Sequence, residues 1–467
     1  MIKYNHLYNL IRCKNEVLLN DFLVLIIINN IEINIISNSL SWRKKVLFNG
    51  EEIFFVDRND KESFVYLPLR SYLGITNKEN VNKFLDLNNP QTVSFYSKIK
   101  ERKYIDIHKI HEIVQKSSST LSIAVTDDCN IGCLHCHHSA GDFGRYKSID
   151  FNIAKTAIDK FFLENKKEKS LRIVFMGGGE TTSNMPLLKK IISYAEEKAL
   201  LEDKKIFFRM ATNGIFSKEV AEYIREHFEE ISLSFDGPAH IQNFQRPTKN
   251  GEPSFDYVFA TAKFFYENKF PFAFRATVSD YSMPYLEEVI DFFAENFPGK
   301  QIGLEPLNPF GRANRQNKIN PPSRIDFYKR LIEIFEYSKG KNIKILSAGV
   351  GKFENLRTIF CGAVGKPSYT ILTDGTVSCC TRDNVPEQFN FGKYNPETKE
   401  FDIDDSKIEN IRKMNVYCYP ECQDCFCKYH CAGDCPDLRL SGLVDCEANK
   451  MVGKYFLEQK YIIGGKK

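Results

Sequence analysis

Between Thr120 and Ser347 the chain alternates short runs rich in β-branched and aromatic residues with longer stretches of helical period, and this alternation restricts its fold more than any other feature. The short runs are Leu121–Val125, Leu171–Phe175, Ile206–Met210, Ile231–Phe235, Phe272–Val278 and Ile302–Leu307, each bounded by turn residues. The helical stretches are Phe151–Glu164, Met185–Leu200, Lys218–His227, Tyr257–Asn268, Tyr285–Asn296 and Arg324–Lys339. Parallel neighbours need crossover connections, and those are right-handed, so the pattern predicts an α/β fold with a parallel sheet and helices outside it. Function in parallel β/α barrels gathers at the C-terminal ends of the strands. The residues just after each run are therefore where chemistry is expected.

The first run leads into Thr126-Asp127-Asp128-Cys129-Asn130-Ile131-Gly132-Cys133-Leu134-His135-Cys136, with cysteines at C-x3-C-x2-C spacing. Three thiolates on one loop can hold three corners of a 4Fe–4S cluster, leaving one iron for a non-protein ligand. A zinc site completed by His137 or His138 is the alternative, since zinc takes four ligands in a closed tetrahedron. The second run leads into Met176-Gly177-Gly178-Gly179-Glu180-Thr181-Thr182. Glycines there permit a close backbone approach to a ligand, and the acid can accept hydrogen bonds from an ammonium group.

Together these two stretches resemble the radical S-adenosylmethionine (radical SAM) enzymes, with His135 at the aromatic position before the last cysteine. The resemblance implies a partial (β/α)6 TIM-like barrel. It also implies a 4Fe–4S cluster on Cys129, Cys133 and Cys136 that cleaves SAM to a 5′-deoxyadenosyl radical. Gly178, Gly179 and Glu180 match the family's GGE motif at the SAM amine. Later strand ends supply Ala211-Thr212-Asn213-Gly214, close to the family's T-N-G, and Ser234 and Asp236, readable either as ribose contacts or as part of a plain D-G-P turn. Arg275, on a strand read as buried, needs an anionic partner, and either the SAM carboxylate or an internal acid answers that need. His240, Arg246 and the turn Gly251–Phe255 resemble a segment of peptide-modifying members, and structural support is the role expected of His240 and Arg246.

A second array follows: Cys361, Gly375, Cys380, Cys422, Cys425, Cys431, Cys435 and Cys446. Its spacing, C-x13-G-x4-C, a gap, C-x2-C-x5-C-x3-C, a gap and C, is similar to the signature of the SPASM domain, which holds auxiliary 4Fe–4S clusters. The resemblance implies one cluster on Cys422, Cys425, Cys431 and Cys446, and another on Cys361, Cys380 and Cys435. The second of these is either left with an open iron or closed by Cys379, Cys418 or Cys427. Cys13 is expected to be a buried small hydrophobe.

At 467 residues and 43% hydrophobic composition the chain has material for two or three domains. The expected division is an N-terminal module over 1–115, a barrel over 116–347 and a SPASM domain over 348–467. The first of these is read as small and β-rich, with a helix at Asn77–Leu87 and a polar linker around Lys98–Lys103 and His108–His111. Many SPASM maturases carry an extension that captures a leader peptide, which the region around Tyr66-Leu67-Pro68-Leu69 faintly resembles; a purely structural extension is the alternative. If it does capture a leader, its removal is expected to leave SAM cleavage intact. A net charge of +4, from 64 basic and 60 acidic side chains, leaves no electrostatic footprint for nucleic acid. Asn29, Asn30, Glu32 and Asn34 interrupt the apolar stretch Phe22–Ile36, which argues against a membrane span. With no leader pattern for export, the 14 cysteines fit metal ligation in a reducing cytoplasm better than disulfides.

The resemblance thus implies a peptide or protein maturase acting on a precursor peptide or protein, with a reductase, flavodoxin or ferredoxin as electron donor. Two rivals are an anaerobic sulfatase-maturating enzyme, which the long N-terminal extension argues against, and a non-catalytic iron–sulfur carrier or peptide-binding module.

Overall fold

The computed structural model describes residues 26–28, 31–33, 43–48, 51–84, 86, 88–116, 120–144, 147–316, 318–348, 355–365, 369–381 and 387–464; Cys13 lies outside them. Contacts divide the chain into two compact units that do not follow sequence order. One comprises residues 1–115, 349–361 and 413–467, the other 116–348 and 362–412.

In the first unit, here the terminal unit, β1 (Ile26–Ile28) pairs antiparallel with β2 (Ile31–Ile33). Strands β3 (Arg43–Phe48), β4 (Glu51–Asp57), β5 (Glu62–Leu67) and β6 (Tyr72–Asn77) form an antiparallel meander. Side chains alternate across a strand, yet Ile53-Phe54-Phe55-Val56 and Phe64-Val65-Tyr66-Leu67 are apolar without alternation, so both sheet faces need cover. Ile53, Phe55, Val65 and Leu67 pack against Val81, Tyr96 and Ile99, from helices Lys78–Phe84 and Pro90–Lys100. Phe54, Val56, Phe64 and Tyr66 pack against Cys425, Phe426, Cys427 and Leu457. The expected linker is instead helical, over Pro90–Lys100 and Ile107–Lys116. Its charges misled because Lys98 and Lys100 sit on the exposed side of a helix that buries Thr92, Tyr96 and Ile99.

The second unit, the barrel unit, contains β7 (Thr120–Ile123), β8 (Ser170–Phe175), β9 (Lys205–Thr212), β10 (Glu230–Ser234), β11 (Phe272–Val278), β12 (Gln301–Pro306) and β13 (Lys344–Leu346). These seven are consecutive and parallel, an α/β arrangement consistent with a partial TIM barrel. The seventh, β13, was not foreseen; three residues beginning with an exposed lysine carry no strand signal. On the other edge β14 (Tyr369–Ile371) runs parallel to β7 and is followed antiparallel by β15 (Thr376–Ser378), β16 (Asn390–Asn395) and β17 (Glu400–Ile403).

Helices lie close to the predicted ranges. Phe151–Glu164 starts where the Asp150 side chain accepts from the Asn152 N–H, and it buries Ala154, Ala157, Ile158, Phe161 and Phe162 at helical spacing. In β11, Phe272, Phe274, Ala276 and Val278 are buried while Ala273, Arg275 and Thr277 face the more open side. Phe274 meets Phe293 of helix Leu286–Asn296 with ring centroids 4.5 Å apart.

Candidate functional site

The cysteine loop and the glycine run interlock as backbone. Gly179 N–H donates to the Thr126 carbonyl and Glu180 N–H to the Asp128 carbonyl, both at 2.7 Å. A Cβ on Gly179 would lie 1.7 Å from the Asp128 oxygen, and one on Gly178 (φ +68°) 2.6 Å from the Thr126 oxygen. This packing alone accounts for both glycines: a side chain at either would push the first cysteine out of place.

Cys129 and Cys133 are buried and Cys136 half-buried. Burial raises the Cys129 thiol pKa, with Cys133, Glu180 and Cys136 adding to it. Cys133 is pushed up to about 12, chiefly by burial. Donors converge on the sulfurs: Asn213 Nδ2 at 3.8 Å from Cys129, Arg246 Nη1 at 4.0 Å from Cys133, and Ala140 N–H at 3.5 Å from Cys136. A set of buried thiols that raise one another's pKa, already supplied with N–H donors, suits an iron–sulfur core whose positive charge offsets three thiolates.

Glu180 is buried, which raises its pKa, and it accepts from Thr182 N–H, Thr182 Oγ1, Thr212 Oγ1 and Asn213 N–H at 2.8–3.2 Å. It thereby joins the ends of β8 and β9. Ser234 and Arg275 are register partners across β10 and β11. Arg275 is exposed on the open face of its strand, not buried as expected, and the alternative internal ion pair does not form among the described residues. Asp236 is buried and fully engaged, accepting from Arg246 Nε at 2.9 Å, Arg246 Nη2 at 3.1 Å, Gln245 Nε2 at 2.7 Å and Thr277 N–H at 2.8 Å. Burial alone would raise its pKa, but Arg246, His135 and these hydrogen bonds hold it below its ordinary value. His135 is buried with no hydrogen-bond partner for Nδ1. Burial, then Arg246, pushes its pKa down to about 3. A neutral ring with an orphaned nitrogen beside the cysteines fits a site made for a polar ligand.

Two features were missed in the sequence. Helix Ala239–Gln245, seven residues long, places Gln245 and Arg246 beside the loop, where Leu134 N–H donates to the Gln245 carbonyl at 2.9 Å. Arg312 donates to the carbonyls of Cys133 (2.7 Å) and Ala140 (2.8 Å) and pairs with Asp142 at 2.7 Å. Gly311 before it (φ +59°) has no room for a Cβ, with Cys136 O at 2.4 Å. A G-R pair after the sixth strand was the available signal. His240 is exposed, 3.7 Å from Glu288.

In the terminal unit, Cys422, Cys425, Cys431 and Cys446 also act on one another. Cys422 is pushed up to about 12 by burial, with Cys425 and Cys446 among the causes. Cys431 is raised by burial, with Asp434, Cys425, Cys422 and Cys446 adding to it. Ala432, Gly433 and Asp434 all have positive φ, reversing the chain between Cys431 and Cys435. The segment between Cys427 and Cys431 is held by the N-terminal sheet: Lys428 Nζ and, at 3.1 Å, Tyr429 OH donate to Glu52, and Tyr66 OH shares a hydrogen bond with His430 Nε2. Cys427 is buried, with its sulfur 2.1 Å from where a Gly453 Cβ would lie, so Gly453 leaves it room. Cys361 and Cys435 belong to this unit; Cys379 and Cys380, at the end of β15, belong to the barrel unit. Among the described residues no group of three or more His, Cys, Asp or Glu side chains is arranged to hold a single metal ion.

Residues 123–293 match the model of the radical SAM superfamily. An uncharacterised protein of Methanocaldococcus jannaschii is 30% identical over 221 residues, 46% of this chain and 71% of that protein. The radical SAM cyclopropyl synthase TigE of Paramaledivibacter caminithermalis is 22% identical over 298 residues, 60% of this chain and 58% of TigE. A serine-type anaerobic sulfatase-maturating enzyme of Bacteroides thetaiotaomicron is 22% identical over 355 residues, 68% of this chain and 82% of that enzyme. Among solved structures, native anSMEcpe with bound AdoMet and Cp18Cys peptide aligns with a TM-score of 0.57 at 18% identity, over 74% of this chain and 99% of that one. Streptococcus suis SuiB bound to S-adenosylmethionine aligns with a TM-score of 0.50 at 14% identity, over 83% and 95%. No helix among the described residues is long and apolar enough to cross a membrane. The chain belongs to the radical SAM superfamily, whose members use a 4Fe–4S cluster and SAM, and it is an enzyme related to the peptide and sulfatase maturases.

Proposed function

We propose that this enzyme oxidatively modifies a ribosomally made peptide, forming a thioether or carbon–carbon crosslink, an epimerised residue or an oxidised side chain. One observation carries the reading. The chain builds two separate sets of buried, mutually coupled thiols, one at the barrel strand ends and one of four cysteines in the terminal unit. In this reading Cys129, Cys133 and Cys136 hold the SAM-binding cluster, and Cys422, Cys425, Cys431 and Cys446 hold an auxiliary one. The sequence resemblance alone assigns Cys361, Cys380 and Cys435 to a second auxiliary cluster.

Bound cluster and SAM supply reductive cleavage of SAM and a radical that removes a substrate hydrogen. The protein's part is to bind and orient. Glu180 offers a carboxylate to the SAM ammonium. Ser234 and Arg275, side by side and with Arg275 unpaired among the described residues, suit its carboxylate. Asp236 positions Arg246 against Cys133 and takes that role in place of a ribose contact. The buried Nδ1 of His135, without a hydrogen-bond partner among the described residues, is offered to the ligand in this reading. A peptide substrate is supported by the related anSMEcpe, solved with a Cp18Cys peptide, and by TigE, a cyclopropyl synthase. Residues 1–115 are proposed to contribute leader binding, and a cytoplasmic flavodoxin, ferredoxin or reductase to supply electrons.

The test uses anaerobically reconstituted enzyme with SAM, a reductant and the product of each short open reading frame found next to its gene. 5′-Deoxyadenosine together with a peptide mass lowered by loss of hydrogen, or an unchanged mass with an inverted residue, is the expected result. An unchanged precursor, with formylglycine formed on a sulfatase-derived Cys or Ser peptide, would move the assignment to the sulfatase-maturating class. Absence of 5′-deoxyadenosine in every condition would overturn both.

A further inference from the structure

The two thiol sets differ in the charge packed against them. Beside the barrel set each guanidinium already faces a carboxylate: Arg246 pairs with Asp236 at 2.9 Å and Arg312 with Asp142 at 2.7 Å. Glu180 adds negative charge near Cys129.

The terminal set is supplied differently. Arg439 donates Nε and Nη2 to the Gly433 carbonyl at 2.9 and 2.7 Å and lies 4.3 Å from the centroid of the Tyr419 ring. Held there, next to the chain reversal between Cys431 and Cys435, its positive charge lowers the pKa of both Cys446 and Cys422. Its acid, Glu421, is 3.5 Å away on a side chain 59% exposed, and such a pair neutralises little. Arg357, near Cys431, spends its donors on the carbonyls of Phe360 and His430 at 3.1 and 2.7 Å. Lys450 acts on Cys446 and pairs with the half-exposed Glu447 at 2.8 Å. Asp434, near Cys431, is buried and accepts from Cys435 N–H and Asn449 Nδ2 at 2.6 and 2.8 Å. Asp437 is buried as well. Arg439 is the cation whose charge falls on two thiols of the set, Cys422 and Cys446.

We propose that Arg439, supported by Arg357, raises the potential at which the Cys422–Cys425–Cys431–Cys446 site takes up one electron, making it an acceptor rather than a donor. A sulfur-ligated iron centre becomes more negative by one charge on reduction, and a desolvated cation beside its sulfurs stabilises that state. The change is one electron received from a one-electron donor, with no bond made or broken and no proton moved. The inference rests on the auxiliary-site reading above and deepens it.

The test is a dithionite titration followed by electron paramagnetic resonance on the intact chain, in a background with Cys129, Cys133 and Cys136 changed to Ala. The relevant signal is the one that Cys446→Ala removes. Arg439→Gln is expected to disfavour its reduction at least tenfold, about 59 mV for one electron, at unchanged iron content, and Arg439→Lys to restore most of the difference. Equal potentials for the parent and Arg439→Gln at equal iron would overturn the inference. Should Arg439→Gln take up less iron, Glu421→Lys at an exposed position is the reverse arm: a raised potential supports the inference and an unchanged one overturns it. If Cys446→Ala removes no signal, the auxiliary-site reading itself falls, and the inference with it.

Discussion

The barrel thiols sit on one short loop, Cys129 to Cys136, whereas the terminal set is strung from Cys422 to Cys446 and is braced by residues from the other end of the chain. The loop is held mainly by backbone contacts from its own sheet: the glycine run, the segment Gln245–Thr248 and Arg312. The terminal set instead leans on a sheet face formed by Phe54, Val56, Phe64 and Tyr66 and on polar bonds from Glu52 and Tyr66. A metal nest made from neighbours in sequence needs little beyond close packing. One made from scattered ligands needs a scaffold, and here the N-terminal region is that scaffold. Removing residues 1–115 would uncover Cys425, Phe426 and Cys427, so truncation is a poor probe of leader binding.

The comparison can be broken most decisively by changing Cys129, Cys133 and Cys136 together to Ala. 5′-Deoxyadenosine production should vanish and iron should fall from about twelve to about eight atoms per chain, measured after anaerobic reconstitution. A parent chain with stoichiometric zinc, or only about four iron, would show that the terminal set is not a cluster site. Next in size is Arg312→Met, which removes a buried cation from Asp142 and two carbonyls of the loop. Asp142 keeps Arg315 as a partner, so the cost should be about 1–3 kcal/mol of barrel stability in urea unfolding, from the two loop carbonyls left without their donor. Arg315→Met, at the more exposed arginine on the same carboxylate, should cost about 0–1 kcal/mol. If the two variants behave alike, Arg312 does not organise the loop.

Glu52→Gln addresses the scaffold. It leaves the buried Lys428 ammonium without its carboxylate and should cost about 1–3 kcal/mol. It should also lower iron retention at the terminal cysteines while sparing the iron of the barrel loop; uniform loss from both would contradict the division drawn here. The last effect is a pH dependence, absent at neutral pH and large only in acid. His135, held near a pKa of about 3 against 6.5 when unperturbed, is neutral when folded and takes a proton on unfolding below 6.5. Its contribution to stability is therefore complete above that value. It is lost as pH falls toward 3, at about 1.4 kcal/mol per pH unit. In cluster-free protein the melting temperature should drop accordingly, and His135→Phe should flatten the profile.

Much of the barrel could be read from residues alone because each strand and helix carries its own period; Phe151–Glu164 agrees to the residue. The cysteine loop and Gly-Gly-Gly-Glu were legible because their chemistry is local. What escaped has another cause. Strand β13 and helix Ala239–Gln245 are too short for a period to show. Arg275 lies on a strand but faces the open side, which composition does not reveal. Asp236 looked like a ligand contact and proved to be half of a buried ion pair, since its partner Arg246 arrives on a helix that was not foreseen. The dependence of Cys425 and Cys427 on Phe54 and Phe64 is a tertiary fact, invisible in either segment by itself.

That dependence also sets an order of events during synthesis. Arg58 pairs with Glu458 and Tyr66 with His430 across separations of 400 and 364 residues, so these strands wait for a helix made hundreds of residues later. Loop closure over such distances is slow, and Phe54, Val56 and Phe64 stay exposed in the interval, a state prone to aggregation. The barrel segment, complete by Leu346, can form first. The growing chain then carries a finished barrel with an unpaired apolar sheet behind it. In the proposed reading, a cluster at Cys422, Cys425, Cys431 and Cys446 would load only after the β4–β5 sheet and the helix Cys446–Gly464 have met, so occupancy there reports that these distant segments have packed.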